Sequence, residues 1–170
     1  ITPHIGLLSS LYPKMLQMEG KNLKRTVVVS GGFDPLHVGH VQLIQSAKEL
    51  GDTLIVLVNN DNWIRRKKYK EFMPEDERLA IVSALRGVDD CLLTLHKPDE
   101  ERYSCELEIR SLHETVGIDV FANGGDRTAM NSPEHLLCIE LGIDIEYNVG
   151  GGKIQSSSWL TDKHSAYSKK

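Results

Sequence analysis

The stretch VVVSGGFDPLHVGH, residues 27–40, decides the fold of this chain. A short β-branched run closed by two glycines is typical of a buried strand, here predicted over residues 26–30. Apolar residues then recur at helical spacing until Gly51, a helix-ending residue; they are Val41, Leu43, Ile44, Ala47 and Leu50. The stretch therefore predicts a strand, a glycine turn and a helix.

The same alternation of strand and helix patterns continues along the chain. Further strands are predicted at 53–58, 91–95, 118–122 and 143–147. Helices are predicted from Pro74, over about 100–116, in SPEHLLCIELG with Ser132 as its cap and Pro133 at its first position, and from SSSWL onward. We predict an α/β fold, a Rossmann-like three-layer sandwich whose mostly parallel five-stranded sheet carries helices on both faces.

Right-handed crossovers place every strand-to-helix turn at the carboxyl edge of such a sheet, where ligands bind. Four stretches rich in glycine, hydroxyl, histidine and basic residues should meet there: GGFDPLHVGH, NNDNWIRRKKYKEF, NGGDR and GGGKIQSSS. The pattern predicts one domain over 26–161, an extension over 1–25 and a tail over 162–170.

The composition is that of an ordinary soluble protein. The 170 residues are 40% apolar and 26% charged, with a net charge of −4. Nothing in these values indicates nucleic acid or a membrane surface as partner, no apolar run reaches the roughly 20 residues of a membrane span, and the first residues do not resemble a secretory signal. Three widely spaced cysteines favour reduced thiols in the cytoplasm; they are Cys91, Cys105 and Cys138.

Two glycines and two histidines at the first turn indicate an anion site. Gly31 and Gly32 let backbone N–H groups approach a ligand. His37 and His40 lie where the first helix begins, near its positive end, which suits phosphate. Two alternatives stay open: metal ligation, although a third ligand is not evident, and histidines that serve only packing or the surface.

These residues carry a resemblance to a known family. GGFDPLHVGH has the HxGH signature and resembles the cytidylyltransferase-like nucleotidyltransferase superfamily. MPEDERLAIVSALRGVDD, VFANGGDR and IQSSSWL follow in the same order as in glycerol-3-phosphate cytidylyltransferases and heptose-1-phosphate adenylyltransferase domains. The resemblance covers about residues 26–160. It implies that His37 and His40 are catalytic and that Gly31, Gly32 and Phe33 contact the nucleotide.

The resemblance also gives roles to the basic segment RRKKYK, residues 65–70, predicted to form a loop after the second strand. It implies a catalytic Lys68, with Arg65 and Lys67 as phosphate or acceptor contacts, and an Arg78 near the triphosphate. The alternative is that the segment is a solvated charged surface, as charge runs usually are, and that Arg78 also lies at the surface.

The remaining candidates come from two glycine-rich turns. The GGDR turn offers Gly125 and Asp126 to the nucleotide and Arg127 to a phosphate or the acceptor, unless it is only a capped turn. The last helix opens on three hydroxyls that can cap it or cradle an anion, and the resemblance favours phosphate contact; they are Ser156, Ser157 and Ser158. We expect Asp34 to orient the loop or a histidine rather than touch substrate.

The resemblance implies an enzyme that moves AMP or CMP from a nucleoside triphosphate to a phosphorylated small molecule, such as a sugar, polyol or amino-alcohol phosphate. Mg²⁺ is expected to enter with the triphosphate, since the sequence predicts no metal-binding cage. ATP is favoured over CTP, because NVGGGK (148–153) stands where cytidylyltransferases have Arg-Thr-x-Gly. The alternatives are a pantetheine-phosphate or mononucleotide adenylyltransferase, and a non-catalytic nucleotide-binding module on the same fold. A homodimer is left open.

Overall fold

The computed structural model describes residues 24–168. Its strands are β1 (Thr26–Gly31), β2 (Thr53–Val58), β3 (Asp90–Leu93), β4 (Val120–Ala122) and β5 (Asp144–Glu146). Its helices are α1 (Val38–Lys48), α2 (Asp61–Lys68), α3 (Glu75–Ser83), α4 (Glu106–Val116), α5 (His135–Leu141) and α6 (Ser157–Tyr167). Most of the predicted extension lies outside the described residues, and the domain boundaries stay predictions.

The strands form one parallel sheet in the order β3-β2-β1-β4-β5. The chain therefore moves outward from β1 in one direction and returns to its other side for β4. Such a change of direction leaves a crevice at the carboxyl ends of the two strands, here β1 and β4. The predicted α/β fold with a parallel sheet is confirmed.

Alternating residues of the strands build two cores. Val27 and Val29 face α1 and α3, whereas Val28 faces α4 and α5. The buried residues of β2 and β4 divide in the same way, so helices cover both faces of the sheet. This is the arrangement that near-continuous apolar strands require.

Two predicted helix starts are wrong. The helix expected from about residue 100 begins at Glu106. The helix expected to be capped by Ser132 begins at His135, since the Ser132 hydroxyl turns to the Glu134 carboxylate rather than to a backbone N–H of the first turn. The predicted stop at Gly142 is confirmed, with φ of 70°. None of the helices within residues 24–168 is both long and apolar enough to cross a membrane.

Candidate active site

A cavity of about 910 Å³ opens at the carboxyl edge of the sheet. Its walls come from the β1–α1 turn, the start of α2, the turn after β4 and the segment before α6. These are the four stretches that the sequence placed at this edge, so that prediction is confirmed. Its lining includes most of the candidate site residues, namely Gly31, Gly32, Phe33, His37, His40, Lys67, Lys68, Gly125, Asp126, Arg127, Ser156, Ser157 and Ser158.

The two histidines stack at the N-terminus of α1, with 3.7 Å between their ring centroids. The backbone holds both rings: the Gly39 N–H donates to His37 Nδ1 at 3.1 Å, and the His37 N–H donates to His40 Nδ1 at 3.2 Å. Because Nδ1 accepts a hydrogen bond in each ring, the proton of each neutral imidazole lies on Nε2. The pair can therefore offer two Nε2–H donors to a ligand in the cavity.

Both histidines are neutral near pH 7. Burial, together with the neighbouring His37 and Lys68, lowers the pKa of His40 to about 3. Burial also lowers the pKa of His37, together with Lys68 and Lys153. The histidines thus provide hydrogen-bond donors without charge, and the positive charge of the cavity comes from lysine and arginine.

These pKa shifts predict acid lability. The unfolded chain binds a proton on His40 below about pH 6.5, whereas the folded protein does so only near pH 3. Between these values protons favour the unfolded state, so the free energy of unfolding should fall as the pH falls, by up to about 1.4 kcal/mol per pH unit. Urea unfolding at pH 7, 6, 5 and 4 measures this slope. His40→Asn should flatten it, and equal slopes in both proteins would contradict the assignment.

Lys67 and Lys68 bring positive charge to the same cavity. The Lys68 Nζ donates to the backbone carbonyl of Asp34 at 2.8 Å, and the Lys67 Nζ lies 4.6 Å from the centre of the Trp63 ring. Burial lowers the pKa of both ammonium groups, and Arg127 and Lys68 lower that of Lys67 further. These charges disfavour one another at close range, and a bound anion would relieve that repulsion.

The turn after β4 and the start of α6 close the cavity on the other side. Asp126 and Lys153 form an ion pair at 3.4 Å, too exposed to add much stability. Ser156 caps α6 by accepting the Trp159 N–H at 3.1 Å, as the capping alternative predicted. The Ser157 hydroxyl donates to the carbonyl of Pro35 at 2.8 Å, which fastens α6 to the β1–α1 turn. The first N–H groups of α6 thereby face the same cavity as those of α1.

The basic segment is a helix and not the predicted loop. Asn60 accepts the Trp63 N–H and begins α2, which runs to Lys68 and includes four consecutive basic residues. Successive side chains on a helix point about 100° apart, so the four basic residues diverge. Arg65 pairs with Glu71 at 2.8 Å and does not line the cavity, whereas Lys67 and Lys68 do. The phosphate or acceptor contact of Arg65 therefore stays a prediction, and it would require the guanidinium to leave Glu71.

The alternative that Arg78 lies at the surface is wrong, because its side chain is fully buried beside the cavity. Its guanidinium donates to the carbonyls of Met73, Gly32 and Asn59 and to the Asp61 carboxylate. These bonds tie the ends of β1 and β2 to the start of α2. Arg78 positions the walls of the site and is not part of the cavity lining, and its contact with the triphosphate stays a prediction.

Three further residues shape the β1–α1 turn. Phe33, expected to contact nucleotide, has a positive φ of 51° and packs under His40 with 4.9 Å between ring centroids. At Gly32 a Cβ would lie 2.9 Å from the Cδ1 of Ile64, so a larger residue there would require the Ile64 side chain to move. The Asp34 carboxylate accepts the N–H groups of Phe72 and Met73, which orients the loop as expected.

Comparison with known proteins places the chain in a family. A family model described as cytidylyltransferase-like matches residues 28–138, most of the chain from β1 to α5. The chain belongs to the cytidylyltransferase-like family.

Its relatives in this family have two different names. The FAD synthase of Thermococcus kodakarensis is 45% identical over 74 residues, which are 43% of this chain and 50% of that protein. The bifunctional protein HldE of Syntrophotalea carbinolica is 35% identical over 139 residues, 81% of this chain and 25% of that protein. The matched region thus spans half or less of either relative. The crystal structure of a lipopolysaccharide core biosynthesis protein from Thermoplasma volcanium, 29% identical, covers 73% of this chain and 93% of its own with a TM-score of 0.55.

The sequence prediction missed the polar residues on the floor of this cytidylyltransferase-like cavity. Asn59 and Asn123 lie directly after β2 and β4, and Cys105 and Glu134 lie before α4 and α5. The available signal was the alternation of the strands: a polar residue two positions after a buried apolar one shares its face of the sheet.

Proposed function

We propose that the protein is a nucleotidyltransferase that moves AMP from ATP to the phosphate of a small molecule and releases pyrophosphate. The observation that carries the proposal is the pair of neutral Nε2–H donors on His37 and His40, held by the backbone in the cavity that Lys67 and Lys68 also line. Neutral donors and nearby cations at helix N-termini suit a chain of phosphates.

The chemistry makes modest demands on the protein. An oxygen of the acceptor phosphate attacks the α-phosphorus, a new P–O bond forms, and the bond to the bridging oxygen breaks as pyrophosphate leaves. The attacking phosphate is already anionic, so no general base is needed. The protein must hold the two phosphates in line and stabilise the charge that develops on the transferring group. We assign that stabilisation to His37, His40 and Lys68, with the N-terminus of α6 at the leaving phosphates.

Mg²⁺ belongs to the substrate in this proposal. Residues 24–168 contain no group of three or more His, Cys, Asp and Glu side chains that could hold a metal ion. The Asp126 carboxylate, which lines the cavity, is paired with Lys153. A divalent ion would therefore be held by triphosphate oxygens and water, as Mg²⁺ commonly is.

The proposed base is adenine and the proposed acceptors are of two kinds. The segment before α6 lacks the Arg-Thr-x-Gly of cytidylyltransferases, and a relative is named FAD synthase, a product that contains AMP joined to FMN. FMN is accordingly one acceptor to test, and sugar phosphates, expected from the resemblance to heptose adenylyltransferases, are the other.

We expect pyrophosphate release with ATP to exceed that with CTP by at least tenfold in kcat/KM, because the two bases present different hydrogen-bonding edges to a site that is built for one of them. The assay pairs each of ATP, CTP, GTP and UTP with FMN, glucose 1-phosphate, glycerol 3-phosphate and phosphopantetheine. A preference for CTP would contradict the adenine assignment. Binding of ATP, seen as a rise in melting temperature, without pyrophosphate release from any pair would indicate a non-catalytic module instead.

Lys68→Met tests the phosphate role of the lysine. We expect a loss of roughly tenfold or more in kcat, because a charge that acts on the transition state is removed, while stability changes little. Lys68→Arg should recover only part of the loss, since a planar guanidinium does not replace a compact ammonium. Lys70→Met, an exposed neighbour just beyond α2, is the matched control. Full turnover of Lys68→Met at saturating substrate would remove the lysine from the mechanism.

A further inference from the structure

A polar floor lies under one half of the cavity, and the proposed chemistry of the phosphates does not use it. We define the polar floor as Ser30, Asn59, Cys105, Asn123 and Glu134, all of which line the cavity. Val28, Leu57 and Phe121 belong to the core on the side of α4 and α5. Two positions further along the same strands, Ser30, Asn59 and Asn123 therefore share that side of the sheet. The histidines and α1 lie on the other side.

One atom of the polar floor lacks a hydrogen-bond partner. The side chain of Asn123 is in a residue only 9% exposed, and its Nδ2 is the one buried side-chain nitrogen or oxygen within residues 24–168 that makes no hydrogen bond. A buried amide donor without a partner is costly, so its presence calls for an explanation. A ligand atom that accepts a hydrogen bond from Asn123 supplies one.

Glu134 adds the opposite chemistry. Its carboxylate is buried, accepts the Cys105 N–H at 3.0 Å and the Ser132 hydroxyl at 3.4 Å, and has no ion pair among the described residues. Asn59 accepts only the Cys105 thiol through its Oδ1, at 3.5 Å. The polar floor thus carries a free donor and acceptors with unused capacity, and it has none of the cations that line the phosphate half.

We propose that the polar floor is the subsite for the non-phosphate part of the acceptor, and that Asn123 and Glu134 determine its specificity. The ligand group is neutral and carries a hydrogen-bond acceptor beside a donor, as the imide edge of a flavin or the hydroxyl groups of a sugar do. A triphosphate does not fit a floor with a buried carboxylate. In-line transfer also requires the acceptor to approach from the side opposite the pyrophosphate, which agrees with the two sides of the sheet.

The test exchanges hydrogen-bond donor and acceptor at two residues of the polar floor while keeping the shape of each side chain. Asn123→Asp replaces the donor with an acceptor, Glu134→Gln replaces an acceptor with a donor, and Asn148→Asp, at an exposed position outside the cavity lining, is the matched control. We expect either floor variant to raise KM for the acceptor about tenfold, with the Kd for ATP within twofold of wild type and the melting temperature unchanged. A rise in KM with FMN alone would identify the imide edge of a flavin as the group that the polar floor binds. A rise in KM with glucose 1-phosphate alone would identify sugar hydroxyl groups.

The inference rests on the proposed function, and the outcomes separate the two. An unchanged KM for the acceptor, or a parallel loss of ATP binding, would contradict the proposed subsite. Neither result would contradict the proposed nucleotidyl transfer. If the wild type releases no pyrophosphate with either acceptor, the proposed function fails. The subsite is then judged by equilibrium binding of FMN and glucose 1-phosphate: about tenfold weaker binding to Asn123→Asp supports it, and equal binding, or none to the wild type, overturns it.

Discussion

His40→Ala is expected to lower kcat at least 100-fold while the protein stays folded. The ring is held between Phe33 and His37, and the His37 N–H donates to its Nδ1, so Nε2–H is fixed as the donor. A preorganised donor of this kind acts on charge that appears only in the transition state, and the loss of one such donor typically costs 100- to 1,000-fold, about 2.7–4 kcal/mol. Pyrophosphate release under saturating ATP and acceptor measures the change.

Two conservative variants separate a catalytic role of His40 from a positioning one. His40→Asn keeps an acceptor for the His37 N–H but has no donor at the position of Nε2, whereas His40→Gln places an amide N–H near that position. A catalytic donor predicts that Gln recovers part of the activity and Asn does not. His164→Ala, an exposed histidine on α6, is the control for the substitution itself. If only His40→Asn recovered activity, the His40 ring would serve to hold the β1–α1 turn and would not act as a catalytic donor.

The order of the elements could be predicted from the sequence because short buried strands and amphipathic helices leave strong local patterns. β2 was predicted at the residues where it lies, and the β1–α1 turn followed from its glycines. Helix starts were less accurate. Ser132 and Pro133 form a standard N-terminal pattern, yet the Ser132 hydroxyl faces Glu134, a contact that depends on how α5 meets the cavity.

The candidate site could be predicted where its residues cluster in the sequence. The prediction failed where the contacts join residues that are distant in the sequence. His37 and His40 lie together at one helix start, so their spacing alone places them. The basic segment was misread as a loop although Asn60 and Asp61 form a helix-start signal before it. Arg78 could not be assigned from sequence, because its partners at Gly32, Asn59 and Asp61 are brought to it only by the folded sheet.

Those partners predict a large effect of Arg78 on stability. Arg78→Met should lower the free energy of unfolding by about 3–5 kcal/mol, the usual cost of removing one member of a buried ion pair. Methionine fills much of the space, but the Asp61 carboxylate loses its nearer partner at 2.7 Å and keeps Arg65 at 3.6 Å, and three carbonyls lose their donors. Because small domains are stable by only about 5–15 kcal/mol, we expect part of the variant protein to unfold at 37 °C.

Urea unfolding distinguishes this structural role from the phosphate contact that the resemblance implies. If Arg78 only ties β1, β2 and α2 together, Arg78→Met shifts the urea midpoint strongly, and a bound ATP analogue protects the folded fraction nearly as well as in the wild type. A direct triphosphate contact would instead weaken ATP binding and leave the midpoint close to that of Arg86→Met, the exposed control at the end of the same helical region. The urea midpoint of Arg78→Lys should lie between those of the wild type and Arg78→Met. An ammonium keeps the charge beside Asp61 but cannot donate to all four oxygens at once.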